Sequence, residues 1–166
     1  MNHDQLIKYS QHLDLTHPEH KLSGCGIASL GMLLGDKIST LDELYKLGLE
    51  QGAYLPGIGW RHAGLANLAK HFGFTNSYNL DLAKEDLEVA LEKLKTELKQ
   101  GPVLASVFTN YEPGHKEGHI VVLLSLTDEQ AEVLDPAAKN HNDIHQFLPV
   151  EKFINGWKKR LIVIRE

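Results

Sequence analysis

The chain has 166 residues, of which 42% are hydrophobic and 23% charged, the ordinary balance of a globular protein. This length predicts a single domain over residues 1–166. The formal net charge of −5 argues against nucleic acid as a partner, because phosphate binding needs clustered Lys and Arg. One cysteine excludes an internal disulfide and a CxxC zinc or redox site. The lone thiol and the polar N-terminus predict a cytoplasmic protein. Since no apolar run approaches the ~20 residues of a membrane span, no membrane partner is expected.

The N-terminal part of the chain predicts helices after an irregular start. Residues 6–22 are mostly polar and contain Pro18, so we expect no regular structure there. Apolar residues then cover most of the circumference of a helix over 25–34, which is typical of a buried helix. The next helix follows a capping box, in which Thr40 is the N-cap and Glu43 lies three positions later.

Two further helices are predicted before the chain changes character. A glycine-rich loop over 51–59 leads into the first, which covers about 61–72. The second is the clearest helix of the sequence, because leucines repeat every three or four residues while glutamates and lysines fill the other face. Gly101 and Pro102 end it. Its leucines are Leu87, Leu91, Leu94 and Leu98.

The hydrophobic pattern changes from helical to strand periodicity after Pro102. Residues 119–126 form a nearly continuous apolar run rich in β-branched residues, which predicts a strand in the centre of a sheet. A short helix is predicted near the end of the chain, with Pro149 at its first position. Because helices come first and strands later, the sequence predicts an α+β fold, with an N-terminal helical half followed by an antiparallel β-sheet. The predicted strands cover 103–108, 119–126, 131–135, 144–148 and 161–164.

Cys25 is the candidate nucleophile. It lies between Gly24 and Gly26 at the predicted start of a helix, where the partial positive charge of the helix N-terminus favours a thiolate. The two glycines would let the backbone and a substrate come close to the thiol. Considered alone, a small core residue is the better interpretation of Cys25, since free cysteine is among the most buried residue types.

A predicted hairpin supplies a candidate base and the group that orients it. The turn centres near residues 128–129, so His119 at the start of one strand is expected across from Asp135 at the end of the other. The carboxylate would hold the imidazole in one tautomer, and the imidazole would take the thiol proton. Individually, His119 fits a solvent-exposed strand end and Asp135 a turn before Pro136. Together with Cys25 they favour a catalytic triad.

Three short motifs carry a resemblance to a known family. In chain order they are Gly24-Cys25-Gly26-Ile27-Ala28-Ser29-Leu30, Gly118-His119-Ile120-Val121-Val122 and Val133-Leu134-Asp135-Pro136. Over about residues 6–165 the chain resembles the C39-like cysteine peptidases of the papain-like superfamily. The resemblance implies a papain-like fold, a Cys25 nucleophile, a His119 base and an Asp135 that orients the base. It also implies an upstream glutamine, here Gln11, whose amide lines the oxyanion hole; residues 14–22 would then be an insertion.

The resemblance implies cleavage of a peptide or other amide bond, with no cofactor and with a peptide or other acyl donor as the partner. A papain-like acyltransferase and an inactive module that binds a peptide or protein are the alternatives, and the oligomeric state is open. A role specific to leader peptides is not expected, because no membrane segment is visible. The ten histidines raise metal binding as a further alternative. Their spacing matches no metalloprotease motif such as H-E-x-x-H, so solvated loop histidines are the better interpretation.

Overall fold

The computed structural model describes residues 5–166. Its helices are α1 (Pro18–Ser23), α2 (Cys25–Leu34), α3 (Leu41–Glu50), α4 (His62–His71), α5 (Leu87–Leu98) and α6 (Val150–Gly156). Its strands are β1 (Tyr54–Leu55), β2 (Gly59–Trp60), β3 (Tyr78–Asp81), β4 (Val103–Phe108), β5 (Gly118–Leu126), β6 (Gln130–Leu134), β7 (His145–Pro149) and β8 (Trp157–Val163). Short 3-10 turns cover Gly35–Lys37, Thr109–Tyr111 and His141–Asp143.

Six of the strands form one antiparallel sheet, in the order β3-β8-β4-β5-β6-β7. The other two, β1 and β2, form a separate short hairpin. Most helices precede the sheet, and β5 lies inside it, between β4 and β6. The predicted α+β architecture and the central position of β5 are therefore confirmed.

Helices cover both faces of the sheet. Because successive strand residues point to opposite faces, Ile120 and Val122 of β5 join a core with α2, α3 and α4. Val121 and Leu123 join a second core with α5 and α6. Burial on both faces explains why the sequence of β5 is a continuous apolar run instead of an alternating one.

The segment predicted to be irregular contains a helix, so that prediction was wrong. Helix α1 starts at Pro18, and proline is tolerated in the first turn of a helix, where its missing N–H would have no intrahelical partner. The segment is also packed onto the body of the protein. Leu15 is buried, and the His20 ring stacks on Tyr45 with ring centroids 3.8 Å apart.

Several strand boundaries also differ from the sequence predictions. The β1–β2 hairpin lies in the predicted 51–59 loop, and β3 was not predicted, because it is a largely exposed edge strand that pairs with β8. Pro149 ends β7 and is the N-cap of α6, not its first residue. Strand β8 starts at Trp157 instead of 161, because its partly buried Lys-Lys-Arg segment carries no apolar signal.

Local helix signals were confirmed where the sequence was most specific. The Glu43 backbone N–H donates to the Thr40 hydroxyl at 3.2 Å, and α3 follows at once. In α5, Leu94 is fully buried while Leu87 is exposed. Within the described residues α5 is the longest helix, at 12 residues, and no helix there has the length and apolarity needed to cross a bilayer.

Candidate active site

Cys25 is the first residue of α2, as predicted, and packing requires the glycine on each side of it. A Cβ on Gly24 would clash with the Leu15 side chain, and one on Gly26 would lie 3.0 Å from the Trp60 ring. The Trp60 indole N–H also donates to the backbone carbonyl of Ser23, at 2.7 Å. The glycines therefore admit Leu15 and Trp60 to the start of α2, a role that the sequence did not indicate.

Helix α2 packs along β5, and this contact brings His119 to the thiol. Ser29, one turn after Cys25, is fully buried, and its hydroxyl donates to the Ile120 carbonyl at 2.9 Å. The start of β5 is thereby held against the first turn of α2. His119 precedes Ile120 in the chain, and a side-chain hydrogen bond joins it to Cys25.

The β5–β6 hairpin brings His119 and Asp135 together: its paired register ends at Val122 and Leu134, and both residues lie beyond that end. His119 Nε2 lies 2.7 Å from Asp135 Oδ1, and this oxygen also accepts the Ala137 backbone N–H at 2.9 Å. Since Nε2 is committed to the carboxylate, Nδ1 is the ring nitrogen that remains for the thiol. Cys25, His119 and Asp135 thus form one hydrogen-bonded chain.

The pKa shifts of Cys25, His119 and Asp135 favour the charged form of each side chain. Burial raises the pKa of the Cys25 thiol, but the hydrogen bond and charge of His119 and backbone hydrogen bonds from Ile120 and Gly26 bring that pKa below its ordinary value. Burial lowers the pKa of His119, but its hydrogen bonds to Asp135 and Cys25 raise it to about 10. Burial raises the pKa of Asp135, and the His119 hydrogen bond and charge lower it overall. The pKa shifts of Cys25 and His119 favour the state in which the shared proton lies on the imidazole and Cys25 is a thiolate.

Gln11 is buried against the start of α2. Its Cβ lies 3.2 Å from the position that a Cβ on Gly24 would take. The Nε2 atom donates to the Lys21 carbonyl at 2.7 Å, while Oε1 is buried without a partner among the described residues. An amide nitrogen carries two hydrogens, so one N–H of Gln11 remains for another acceptor. The 14–22 segment, expected to be an insertion, fixes the Gln11 side chain through Lys21.

Cys25 and His119 line a cleft of about 670 Å³. The β1–β2 hairpin contributes Tyr54 and Trp60 to it, and the chain just before His119 contributes residues 116–118. The Tyr54 and Trp60 rings lie 5.1 Å apart between centroids, and Trp60 is also buried in the core. A cavity of this size lies within the range of roughly 300–1,000 Å³ that ligand sites occupy.

One end of the cleft is basic, and the sequence analysis missed it. Lys158 and Arg160 of β8 line this end, next to Ser106 of β4. The signal in the sequence was the run Lys158-Lys159-Arg160 just before an apolar strand. Charge runs usually form solvated surfaces, so this run alone did not indicate a site.

Several of the remaining histidines pair with carboxylates. Across residues 5–166, His, Cys, Asp and Glu side chains form no group of three or more that could hold a metal ion. The pairs are His115 with Glu112, His141 with Asp14 and His145 with Glu132, each with 2.8 or 3.0 Å between nitrogen and oxygen.

Solved structures share this fold. A putative C39-like peptidase from Bacillus anthracis matches with a TM-score of 0.65 and 20% identity, over 97% of this chain and 95% of that one. This chain has a C39-like peptidase fold. The peptidase domain of Streptococcus ComA, a bi-functional ABC transporter involved in a quorum-sensing pathway, matches with a TM-score of 0.59 and 18% identity, over 87% and 93% of the two chains.

A third structure with the C39-like peptidase fold was solved with a peptide bound. It is a double glycine motif protease from an AMS/PCAT transporter in complex with the leader peptide. It matches with a TM-score of 0.54 and 21% identity, over 84% of this chain and 81% of that one. No protein-family model matches the sequence, and neither does any curated protein.

Proposed function

We propose that this chain is a cysteine peptidase that cleaves a peptide bond through Cys25, His119 and Asp135. The observation that carries the proposal is the hydrogen-bonded chain from Asp135 through His119 to Cys25, which reaches the cleft. The thiolate is the nucleophilic form of cysteine, and the His119 hydrogen bond and charge favour it by lowering the pKa of Cys25. A purely structural cysteine needs neither a base nor an open cleft beside it.

The proposed reaction has two halves. In the first, the Cys25 thiolate attacks the carbonyl carbon of the peptide bond, and the His119 imidazolium gives its proton to the leaving amine. The carbon–nitrogen bond breaks, and the acyl group remains on sulfur as a thioester. In the second, His119 takes a proton from water, the hydroxide attacks the thioester, and the acid leaves as the thiolate re-forms. Asp135 holds the ring orientation and supports its positive charge throughout.

The negative oxygen of each tetrahedral intermediate needs hydrogen-bond donors. Cys25 is the first residue of α2, and the N–H groups of the first helical turn have no intrahelical acceptor. The backbone N–H of Cys25 is therefore the first proposed donor, and the remaining amide N–H of Gln11 is the second. The burial of Gln11 beside Gly24 supports this assignment.

The proposed substrate class is a peptide. The cleft is open along the side of Cys25 and His119, with an aromatic wall on the β1–β2 hairpin. The neighbour solved with its leader peptide, which has the same fold, supports a peptide as the occupant.

Alkylation by iodoacetamide tests the nucleophile without knowledge of the substrate. Cys25 should react rapidly near pH 7, because its thiolate persists below the ~8.5 pKa of a free thiol. His119→Ala should slow the reaction markedly, since it removes the counter-charge of the thiolate. His115→Ala is the matched control, because it also removes an imidazole paired with a carboxylate, but an exposed one.

Hydrolysis of a peptide library, followed by mass spectrometry, tests the reaction itself. Cleavage should disappear in Cys25→Ser and His119→Ala and persist in His115→Ala. An inert Cys25 in the folded protein would refute the proposal. A reactive Cys25 that cleaves no peptide, yet transfers an acyl group to an added amine, would instead identify an acyltransferase.

A further inference from the structure

The cleft carries positive charge in an acidic protein. Its lining has four Lys or Arg side chains and two carboxylates, although the chain as a whole has a net charge of −5. One of the two carboxylates, Asp81, is already paired with Arg160, with 3.2 Å between Oδ2 and Nε. The charged lining residues are Arg61, Lys116, Lys158, Arg160, Asp81 and Glu117.

An irregularity in β8 brings lysine into this lining. Ser106 of β4 pairs with Arg160, but Val107, the next residue, pairs with Trp157. One step along β4 therefore corresponds to three steps along β8, and residues 158–159 are extra. Such bulges re-aim side chains and occur often next to active sites.

The two extra residues are held in place by different contacts. Lys159 has a φ of 54°, which a non-glycine residue seldom adopts, and its ammonium donates to the Glu85 carbonyl at 2.7 Å. The Lys158 side chain makes different contacts. Its Nζ lies 4.8 Å from the centre of the Phe108 ring, and a Cβ on Gly118 would lie 3.0 Å from this Nζ. Within residues 5–166 the Lys158 ammonium has no carboxylate partner, and it lies beside the residue that precedes His119.

The strand register sets the distance from this basic end to the thiol. Arg160 pairs with Ser106, and Ser106 pairs with Ile120, whose backbone hydrogen-bonds to the Cys25 thiol. Neighbouring strands lie about 4.8 Å apart, so Arg160 is roughly 10 Å from Ile120 across the sheet. An extended peptide advances about 3.3 Å per residue. The basic end is therefore within about three residues of the bond that Cys25 would attack.

We propose that the cleft selects peptides with an acidic side chain within about three residues of the cleaved bond, and that Lys158 and Arg160 bind that carboxylate. The inference rests on the proposed peptidase function. Arg160 has several N–H donors, so it can keep Asp81 and still donate to the substrate. Lys158, with no carboxylate of its own, supplies a second charge. The Ser106 hydroxyl lies between them and the thiol as a further donor.

A pair of small reagents tests the charge of the cleft. Iodoacetate and iodoacetamide alkylate the same thiol and differ in charge, so the ratio of their rate constants reports the local potential. In the variant Lys158→Met/Arg160→Met this ratio should fall roughly three- to tenfold at low salt, since a charge acts on the reagent over roughly 10 Å. Lys95→Met, which removes an exposed lysine of α5, is the matched control and should leave the ratio unchanged.

Peptide mixtures test the selectivity. Internally quenched peptides with Glu fixed at one position at a time are compared with the same mixtures carrying Gln. Wild-type protein should cleave the Glu mixture faster at one or more positions near the cut. The Lys158→Met/Arg160→Met variant should lose this preference, and Lys158→Glu should favour Lys at the same position.

The outcomes separate this inference from the proposed function. An inert Cys25 would refute both. A reactive Cys25 with the same iodoacetate-to-iodoacetamide ratio in wild type and in Lys158→Met/Arg160→Met would refute the acidic-substrate inference alone. The acidic-substrate inference would also be refuted if the Glu and Gln peptide mixtures were cleaved at the same rate, or if the Lys158 and Arg160 variants kept the preference for Glu. Thermal melting of each variant confirms that the readout comes from folded protein.

Discussion

Asp135→Asn separates the charge of the carboxylate beside His119 from its shape. The pKa of His119 rises from 6.5 to about 10 through its hydrogen bonds to Asp135 and Cys25 and their charges, against the effect of burial. At about 1.4 kcal/mol per pH unit, this rise corresponds to a preference on the order of 5 kcal/mol for the imidazolium. If Asp135 supplies about half of this free energy, its replacement by the neutral isostere Asn lowers the pKa of His119 by roughly one to two pH units. The imidazolium that gives its proton to the leaving amine is then lost at a lower pH, although it is still formed near neutral pH.

The rate at which a cleaved peptide is hydrolysed, measured against pH, reports this effect. In the wild type the rate should increase as pH rises through the lowered pKa of Cys25, and it should fall again around pH 10, where His119 loses its proton. In Asp135→Asn this alkaline fall should begin roughly one to two pH units lower. Glu112→Gln is the control, because it neutralises the exposed partner of His115. An Asp135→Asn profile identical to that of the wild type would show that Asp135 does not support the imidazolium.

Three further substitutions probe the surroundings of the thiol. Gln11→Ala should lower peptide hydrolysis by roughly 10²–10³-fold and leave alkylation by iodoacetamide nearly unchanged, because alkylation forms no oxyanion; an equal loss in both assays would contradict the oxyanion role. Ser29→Ala leaves the buried Ile120 carbonyl without its donor and should lower the free energy of unfolding by about 1–3 kcal/mol in urea titrations. Gly26→Ala places a methyl 3.0 Å from the Trp60 ring and should destabilise by about 1–3 kcal/mol, with a change in tryptophan fluorescence; an unperturbed spectrum would show that the ring adapts.

The helices were predictable where the signal is local. The Thr40 cap and the leucine repeat of α5 involve residues three or four positions apart, and the interactions that they indicate form within one helix. Helix α1 and strand β3 could not be predicted in this way. Helix α1 is a six-residue helix held by the contacts of its segment with the core, and β3 is an exposed strand whose paired residues lie 79 to 85 positions further along the chain.

The predictability of the candidate site also depends on sequence separation. The His119–Asp135 contact was predictable from turn position, because a hairpin fixes which residues face each other. The contact of Cys25 with His119 joins a helix to a strand from the other half of the chain. Its expectation came from the family resemblance, and no periodicity in the sequence indicated it.

The sequence by itself determined the α+β architecture and one half of the candidate site. Hydrophobic periodicity set helices before strands, and the hairpin register set an imidazole against a carboxylate. The tertiary structure decided how the thiol meets them, through the packing of α2 on β5 and the buried Ser29 hydrogen bond. It also decided the charge of the cleft, since the bulge at residues 158–159 exists only where β8 pairs with β4. Contacts between segments far apart in the chain depend on how whole surfaces pack, and no short stretch of residues encodes that.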